Sequence, residues 1–418
     1  MKRASLILMA LTLAAGLSFA GTKTTVNFWF LWGDAKEVAR VQAMVSQFNA
    51  SQNDYEVKGL STPDVQKIKV GIASGEGPDI ADDYSDAVAA YAANGVAEPL
   101  DGYISQSRFP LTDFIPSALE TCKYQGKLYA LPISLNMFML FYNKDLLAAA
   151  GFKNPPRTDK ELLDMATKLT KANADGSLKV EGFPDFPHVY YQQPMTVAFG
   201  GTFANKDGSL APDSTGTRLA LQTIATYRKQ FGVTNVTTFE SSSGYLTESD
   251  PFMNGQQAFR IDGPWFGKIA REDLKRTRLN YGVAPLPYPD GHPELSGSNL
   301  VRASIFYIAA NARNKQGAWA FTSWLHQEKQ MSVFDSQMGN FPARLSSLDS
   351  PLFRTAYDFG AFADMAKSRN LRTFPSVPTQ AEYIKILSDA GDSVMLLKAT
   401  PADALQAATQ QTAKLSDD

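Results

Sequence analysis

The sequence predicts an α/β protein of two lobes, each built on a mostly parallel sheet flanked by helices. Strand and helix patterns alternate across residues 25–95, and the same alternation returns in residues 158–309. From residue 353 onward the spacing is almost entirely helical. Alternating strands and helices place helices on both faces of a parallel sheet. The chain has 418 residues, more than the ~100–200 of a typical domain, so two lobes are expected.

The first predicted unit shows how each element is assigned. Residues 25–30 are rich in β-branched and aromatic side chains, which favours a strand. Asp34 and Glu37 follow with the spacing of a capping box, which starts a helix. Val45 and Phe48 then lie on one helical face. The same criteria predict further strands at residues 55–60, from about 79, 129–133, 139–143, 258–262, 281–284 and 305–309.

The first twenty residues have the pattern of a secretory signal peptide. Lys2 and Arg3 precede an apolar run over residues 6–17, and Ser18 and Ala20 place small residues before a cleavage site. A membrane anchor is the alternative, but the run is shorter than the ~20 apolar residues of a span. The only cysteine of the chain is Cys122, so no cysteine directly follows the cleavage site to carry a lipid. We expect cleavage after Ala20 and a soluble, exported protein that is not a lipoprotein.

Composition and motifs exclude several classes of function. The formal net charge is −2, and it becomes −4 without Lys2 and Arg3, which argues against nucleic acid as a partner. The phosphate-binding, dinucleotide-binding, hydrolase and zinc-protease motifs are absent from the sequence. The histidines, His188, His292 and His326, are far apart and have no metal-ligand spacing. We therefore expect no cofactor and no metal.

A glycoside hydrolase is the enzymatic alternative, because aromatic-rich sugar clefts serve both enzymes and binding proteins. Such an enzyme needs two carboxylates ~5–10 Å apart across one bond. Asp82 and Asp83 are the candidates. On a strand, adjacent side chains point to opposite faces and cannot share one bond. If Asp82 and Asp83 lie in a loop instead, the sequence does not tell whether they could flank one bond.

Several segments in order resemble extracellular, periplasmic solute-binding proteins of ABC importers. They carry the patterns G-x-G-P-D, G-x-x-Y-A-x-P, Y-N-K-D-L-L, F-x-x-G-x-x-A, G-P-W and G-S-N, at residues 75–79, 126–132, 142–147, 252–258, 263–265 and 297–299. The resemblance is to the carbohydrate-binding family 1, whose members are similar to maltose-binding protein. It covers most of the chain after residue 26.

This resemblance implies a two-lobed type II fold with several hinge crossings, one of them near residues 134–136. The N-terminal lobe would comprise residues 21–135 plus about 303–352, and the C-terminal lobe residues 136–302 plus about 353–418. It also implies a periplasmic, monomeric protein that binds a sugar, a di- or oligosaccharide, and delivers it to ABC permease subunits. The same fold could instead bind a polyol, a glycerophosphate or a compatible solute, or serve as a scaffold or adhesin.

Trp265 is the first candidate for contact with the sugar. It follows a predicted strand and a Gly-Pro turn, so it should lie at the carboxyl edge of a sheet, where α/β folds bind ligands. An aromatic ring can cover the C–H face of a pyranose. Trp32 and Asp34 occupy the first strand-to-helix loop, which faces the cleft in the family. The helix cap alone would also explain Asp34.

The remaining candidates match cleft positions of the family. Asn136 lies where the chain would cross between lobes, and Tyr190 matches an aromatic residue of the second lobe. The others are Asp83, Tyr84, Asp86, Ser298, Asn299 and Arg344. For each of them a structural role is the alternative, and Arg344 could form an ion pair instead. His188 stands where some relatives have an acid, which leaves its role open.

Overall fold

The computed structural model describes residues 22–187, 191–353 and 357–415. Its strands are β1 (Thr24–Phe30), β2 (Tyr55–Ser61), β3 (Ile80–Tyr84), β4 (Lys123–Tyr124), β5 (Lys127–Leu128), β6 (Leu131–Asn136), β7 (Met139–Asn143), β8 (Lys171–Ala172), β9 (Leu178–Val180), β10 (Phe259–Asp262), β11 (Tyr281–Ala284), β12 (Asn299–Leu300), β13 (Arg302–Ile308) and β14 (Leu371–Arg372). The predicted signal peptide, residues 1–20, lies outside the described residues.

Helices surround these strands. They are α1 (Ala35–Ser51), α2 (Val65–Ser74), α3 (Val88–Ala93), α4 (Asp101–Ser107), α5 (Pro116–Glu120), α6 (Lys144–Ala149), α7 (Asp159–Leu169), α8 (Gln192–Ala198), α9 (Thr215–Phe231), α10 (Val233–Ser241), α11 (Trp265–Lys268), α12 (Lys315–Leu325), α13 (Glu328–Met338), α14 (Phe359–Met365), α15 (Gln380–Met395) and α16 (Pro401–Lys414). A π-helical turn, Ile269–Asp273, continues α11. In the described part of the chain, no helix combines the length and apolarity that crossing a bilayer requires.

The first sheet has five strands in the order β2-β1-β3-β13-β6. β1 pairs in parallel with β2 and β3, whereas β13 is antiparallel to both β3 and β6. Phe28 and Phe30 of β1 are buried on the side where Phe306 and Phe321 pack. These rings fill the core of the first lobe, at ring-centroid distances of 5.3–5.5 Å.

The second sheet has the order β10-β7-β11, and both of its strand pairs are antiparallel. The two-lobed α/β architecture is therefore confirmed, but its sheets contain more antiparallel pairs than the predicted mostly parallel arrangement. The antiparallel pairs arise because β7 and β13 begin where the chain crosses between the two sheets and then run away from the cleft between the lobes. β1, β3, β6, β10 and β11 run toward it.

Two crossings lie side by side and are joined by one side chain. The amide of Asn299, which is fully buried, donates to the carbonyl of Phe138 at 2.5 Å and accepts from the N–H of Phe138 at 3.1 Å. Phe138 lies between β6 and β7, and Asn299 shortly precedes β13. The side chain of Asn299 thus satisfies both the N–H and the carbonyl of Phe138, as a neighbouring strand would otherwise do, and it holds the two connections together.

Candidate functional site

A cavity of about 450 Å³ lies between the two sheets. Its walls combine aromatic, carboxyl, amide and aliphatic side chains from both halves of the fold. The lining residues are Leu31, Trp32, Gly33, Glu37, Asp82, Asp83, Tyr84, Asn136, Phe138, Tyr245, Leu246, Trp265, Ile269, Arg302, Ser304, Met338 and Asn340. The volume is within the ~300–1,000 Å³ of small-molecule sites.

Strand direction explains why these side chains meet. β1, β3 and β6 of the first sheet end at the cavity, with Leu31, Tyr84 and Asn136 at or just beyond their last residues. From the second sheet, β10 ends there and is followed by Trp265 at the start of α11. Carboxyl ends of strands are where open α/β sheets bind ligands.

Three of the described residues fix the orientation of Trp265. Its indole N–H donates to the hydroxyl of Tyr245 at 2.9 Å, and its ring packs edge-on against Phe138 at a centroid distance of 6.3 Å. The ring also lies over Gly263, where a Cβ atom would come within 2.2 Å of it. The ring is half-buried and lines the cavity, so one part of it is available to a ligand.

Among the described residues, the first lobe contributes the aromatic side chains of Trp32 and Tyr84 to the cavity wall. Trp32 packs edge-on against Phe334 at a centroid distance of 5.4 Å and lines the cavity with the rest of its surface. Tyr84 is 51% exposed, an unusual value for a large apolar ring at the end of a buried strand. The cavity is therefore bounded by aromatic rings from both lobes.

Two carboxyl groups of the cavity wall, those of Asp82 and Asp83, lie near the C-terminal end of β3. Asp82 is buried and accepts from the N–H of Leu31 at 2.8 Å, and burial raises its pKa well above the ordinary value. Asp83 accepts from the N–H of Tyr84 at 2.7 Å and from the hydroxyl of Tyr91, and burial raises its pKa also. A raised pKa favours the protonated carboxyl, which can donate as well as accept a hydrogen bond.

Polar contacts at the crossing come from Asn136 and its neighbours. Asn136 is buried, and its amide donates to the hydroxyl of Ser304 at 3.3 Å. Arg302 lines the cavity, holds its guanidinium 5.9 Å from the ring of Tyr84 and forms an ion pair with Asp86. Asp86 lies behind Arg302, outside the cavity wall, where it also accepts from Gln380 at 3.1 Å.

Other predicted site residues lie away from the cavity. Asp34 caps α1 by accepting from the N–H groups of Lys36 and Glu37. Arg344 is 3% exposed, donates to the carbonyl of His326 at 2.6 Å and pairs with Asp113 at 2.7 Å. Ser298 and Asn299 are buried and are absent from the wall, and Asn299 holds the crossings together as described. His188 and Tyr190 lie outside the described residues.

Sequence reasoning missed several lining residues, among them Tyr245, Arg302, Phe138 and Asn340. Arg302 had a usable signal, because it follows the Gly-Ser-Asn motif and precedes a predicted strand at the cleft edge. Tyr245 had none: it lies in an irregular serine-rich stretch that has no hydrophobic period. No group of three or more potential metal ligands occurs within the described ranges.

The sequence profile of the bacterial extracellular solute-binding proteins matches residues 43–361, which is most of the chain. The chain belongs to this family. It is 27% identical over 342 residues to the maltotriose-binding protein of Pyrococcus abyssi, an alignment that covers 78% of this chain and 68% of that protein. It is 24% identical over 435 residues to the sn-glycerol-3-phosphate-binding periplasmic protein UgpB of Escherichia coli, covering 96% and 95% of the two.

The fold of this solute-binding protein matches that of solved structures. One is a structure described as CpMnBP1 with mannobiose bound, with a TM-score of 0.81 at 23% identity. The superposition covers 93% of this chain and 100% of the other. The two-lobed architecture predicted from the sequence is the one that these structures share.

Proposed function

We propose that this solute-binding protein captures a neutral sugar, a di- or oligosaccharide, in the cavity between its lobes. The observation that carries the proposal is the combination of aromatic rings and hydrogen-bonding groups in one cavity. Trp32, Tyr84 and Trp265 offer apolar area, and burial of such area contributes ~25 cal/mol per Å². Asp82 and Asn136 offer directed hydrogen bonds, which discriminate among hydroxyls because an unmatched buried group costs ~1–3 kcal/mol.

We expect the lobes to close on the ligand, because residues of both lobes line the cavity. Trp32 and Asp82 belong to the first sheet and its loops, whereas Trp265 follows a strand of the second. A ligand that touches both sets gains its full contacts only in the closed form, so binding shifts the lobe equilibrium toward closure. The crossings that Asn299 joins to Phe138 are the natural hinge.

The relatives and the sequence support the rest of the assignment. A maltotriose-binding relative at 27% identity favours an oligosaccharide over a monosaccharide. Family membership favours delivery to ABC permease subunits, and the predicted signal peptide favours a periplasmic location. We propose that the protein acts as a monomer and binds no nucleic acid. The lobe limits, residues 21–135 with 303–352 and 136–302 with 353–418, stay part of this proposal.

An anionic ligand, as in the glycerol-3-phosphate-binding relative, is less well matched by the cavity. Among the described residues, its lining contains one arginine, Arg302, which is already paired with Asp86, and no lysine. A phosphate would require a cation free to pair with it or an open helix N-terminus. The electrostatics therefore favour a neutral solute.

Hydrolysis of the sugar is also poorly matched. Asp82 and Asp83 are adjacent on β3, and their partners lie on different elements, Leu31 after β1 for one and Tyr91 of α3 for the other. Two carboxylates engaged in this way do not flank one glycosidic bond. We propose that the protein binds its sugar without changing it.

A thermal-shift screen tests the proposal. The protein would be heated with maltotriose, mannobiose, monosaccharides, polyols and glycerol 3-phosphate, each in turn. A specific ligand at about 100 times its Kd stabilises by about 2.7 kcal/mol, which raises the melting temperature visibly. We expect a neutral oligosaccharide to give the largest rise. A rise with glycerol 3-phosphate alone, or release of shorter sugars during incubation, would contradict the proposal.

A further inference from the structure

An ion-pair cluster joins the two lobes outside the cavity. Arg40 of α1 pairs with the carboxylate of Asp273 at 3.1 Å. Lys36, one turn earlier on α1, lies 3.4 Å from the same oxygen and donates to the backbone carbonyl of Asp273 at 3.1 Å. α1 follows β1 of the first sheet, whereas Asp273 ends the helical segment that follows β10 of the second. Two cations of one lobe therefore converge on one acid of the other.

The cluster lies at the rim of the ligand cavity. Glu37, between the two cations on α1, lines the cavity, and so does Ile269, at the first residue of the π-helical turn that ends at Asp273. Residues on the same helical segments as the ion pairs are therefore part of the cavity wall. Motion that separates Asp273 from Arg40 would open the cavity at this rim.

Helix electrostatics explain the arrangement on both sides. Lys36 is the second residue of α1, where the positive end of the helix dipole disfavours a cation. Asp273 is at the C-terminal end of the segment that begins at Trp265, where unpaired carbonyls attract cations. Lys36 bonds to one of those carbonyls. The favourable partner of Lys36 is therefore on the other lobe, and it is reached only when the lobes meet.

Partial burial strengthens the central pair. The side chains of Arg40 and Asp273 are 20% and 17% exposed. By contrast, Lys385 and Asp389, a pair within α15, are 73% and 54% exposed. Water screens an exposed pair almost completely, whereas a partly desolvated pair retains more of its Coulomb attraction.

We propose that Lys36, Arg40 and Asp273 form an electrostatic latch that stabilises the closed arrangement of the lobes and so sets ligand affinity. The proposal rests on the proposed function, since closure over a solute is what the latch would favour. The apparent Kd of a protein that binds only in one form rises as the population of that form falls. Weakening the latch therefore weakens binding and speeds release, although no latch residue has to touch the ligand.

A distance measurement that needs no sugar tests the latch. Spin labels would be placed at Gln66→Cys on α2 and Thr238→Cys on α10, both exposed positions on different lobes. The native Cys122 is buried and would remain unlabelled. We expect the ligand-free protein to show a short-distance population that Asp273→Asn reduces about three- to tenfold at low salt. In 1 M salt, where the screening length is ~3 Å, the difference should largely vanish.

Matched variants separate the latch from general effects of charge. Arg40→Gln should reduce the short-distance population, but less than Asp273→Asn does, because Lys36 can still pair with Asp273. The double variant should lose little more than Asp273→Asn alone, because the acid that both cations contact is already gone. Asp389→Asn removes an exposed acid of similar charge and should leave the distances unchanged. Identical distance distributions for the wild type and Asp273→Asn at low salt would overturn the latch. That result would leave the sugar-binding proposal intact, because the thermal-shift screen tests it separately.

Discussion

The indole N–H of Trp265 donates a hydrogen bond of 2.9 Å to the hydroxyl of Tyr245. That hydroxyl in turn donates to the buried carboxylate of Asp262 at 2.9 Å. The three side chains form a chain that runs from the cavity wall to the end of β10. The orientation of the ring that we assign to sugar stacking is thus set by groups behind it.

Replacing Trp265 by alanine should weaken sugar binding by roughly 1.5–3 kcal/mol, about ten- to a hundredfold, because apolar area against the sugar is lost. Isothermal titration calorimetry measures the change. Trp324→Phe is the control, because Trp324 packs against Phe48 at 5.5 Å and is not among the cavity-lining residues. Unchanged affinity of Trp265→Ala would remove this ring from the site.

Tyr245→Phe should keep the ring but remove the hydroxyl between Trp265 and Asp262. We expect a loss of roughly 1–1.5 kcal/mol in binding, since the indole is then less firmly oriented. Titration with the same sugar measures it. Tyr103→Phe removes a hydroxyl whose contact with Glu98 is a long 3.5 Å outside the cavity, and it should have no effect. Equal affinities for all three proteins would show that the hydrogen-bond chain does not position Trp265.

Gly263→Ala should displace the indole of Trp265. A Cβ at this position would meet the ring at 2.2–2.6 Å, far inside van der Waals contact. The expected affinity loss approaches that of Trp265→Ala, and calorimetry on the folded variant measures it. Gly360→Ala serves as the control, because a Cβ there meets nothing within 4 Å. Full affinity in Gly263→Ala would show that the ring can move without cost to binding.

The free energy of unfolding should respond to pH through Asp262. Burial raises its pKa from 3.8 to about 6, so the unfolded chain loses this proton at lower pH than the folded protein. The stabilising contribution is therefore complete below about pH 4 and is lost as the pH rises to about 6. Relative to the wild type, Asp262→Asn should gain up to roughly 3 kcal/mol across this interval.

Urea unfolding of both proteins at pH 4 and pH 7 measures this effect of Asp262. The difference between the two proteins isolates Asp262, because the other titrating groups are common to both. A difference that is constant between the two pH values would mean that the folded and unfolded states ionise Asp262 alike.

Arg344→Met should lower the free energy of unfolding and leave the affinity for the sugar unchanged. Arg344 is buried and holds Asp113 and the carbonyl of His326, so its removal leaves polar groups without a partner. We expect a loss of roughly 2–4 kcal/mol in the free energy of unfolding. The sugar affinity of the folded variant should match the wild type. A large affinity loss at unchanged stability would instead place Arg344 in the site.

The hydrophobic spacing and the turn residues predicted the architecture well, because they are local properties of the chain. Tyr84 ends a strand at the cavity and Trp265 shortly follows one, a relationship visible in the sequence that explains why both line the cavity. Tyr245 and Asn340 could not be found in this way, since irregular segments bring them to the wall. The partners of Arg344 and Asn299, distant in sequence, likewise depend on tertiary packing.

Strand direction was the other feature that spacing could not supply. The alternation of side chains is the same in a parallel and an antiparallel strand, so β7 and β13 gave no sign of their orientation. Their direction follows from where the chain crosses between lobes, which local patterns do not record.

A crystal structure of the protein with the oligosaccharide that gives the largest thermal shift tests the central claim most directly. We expect the sugar in the 450 Å³ cavity, with the ring of Trp265 on one of its faces and hydrogen bonds from Asp82 of the other lobe or from Asn136 at the crossing. A sugar that contacts only one lobe, or that lies outside this cavity, would contradict the account.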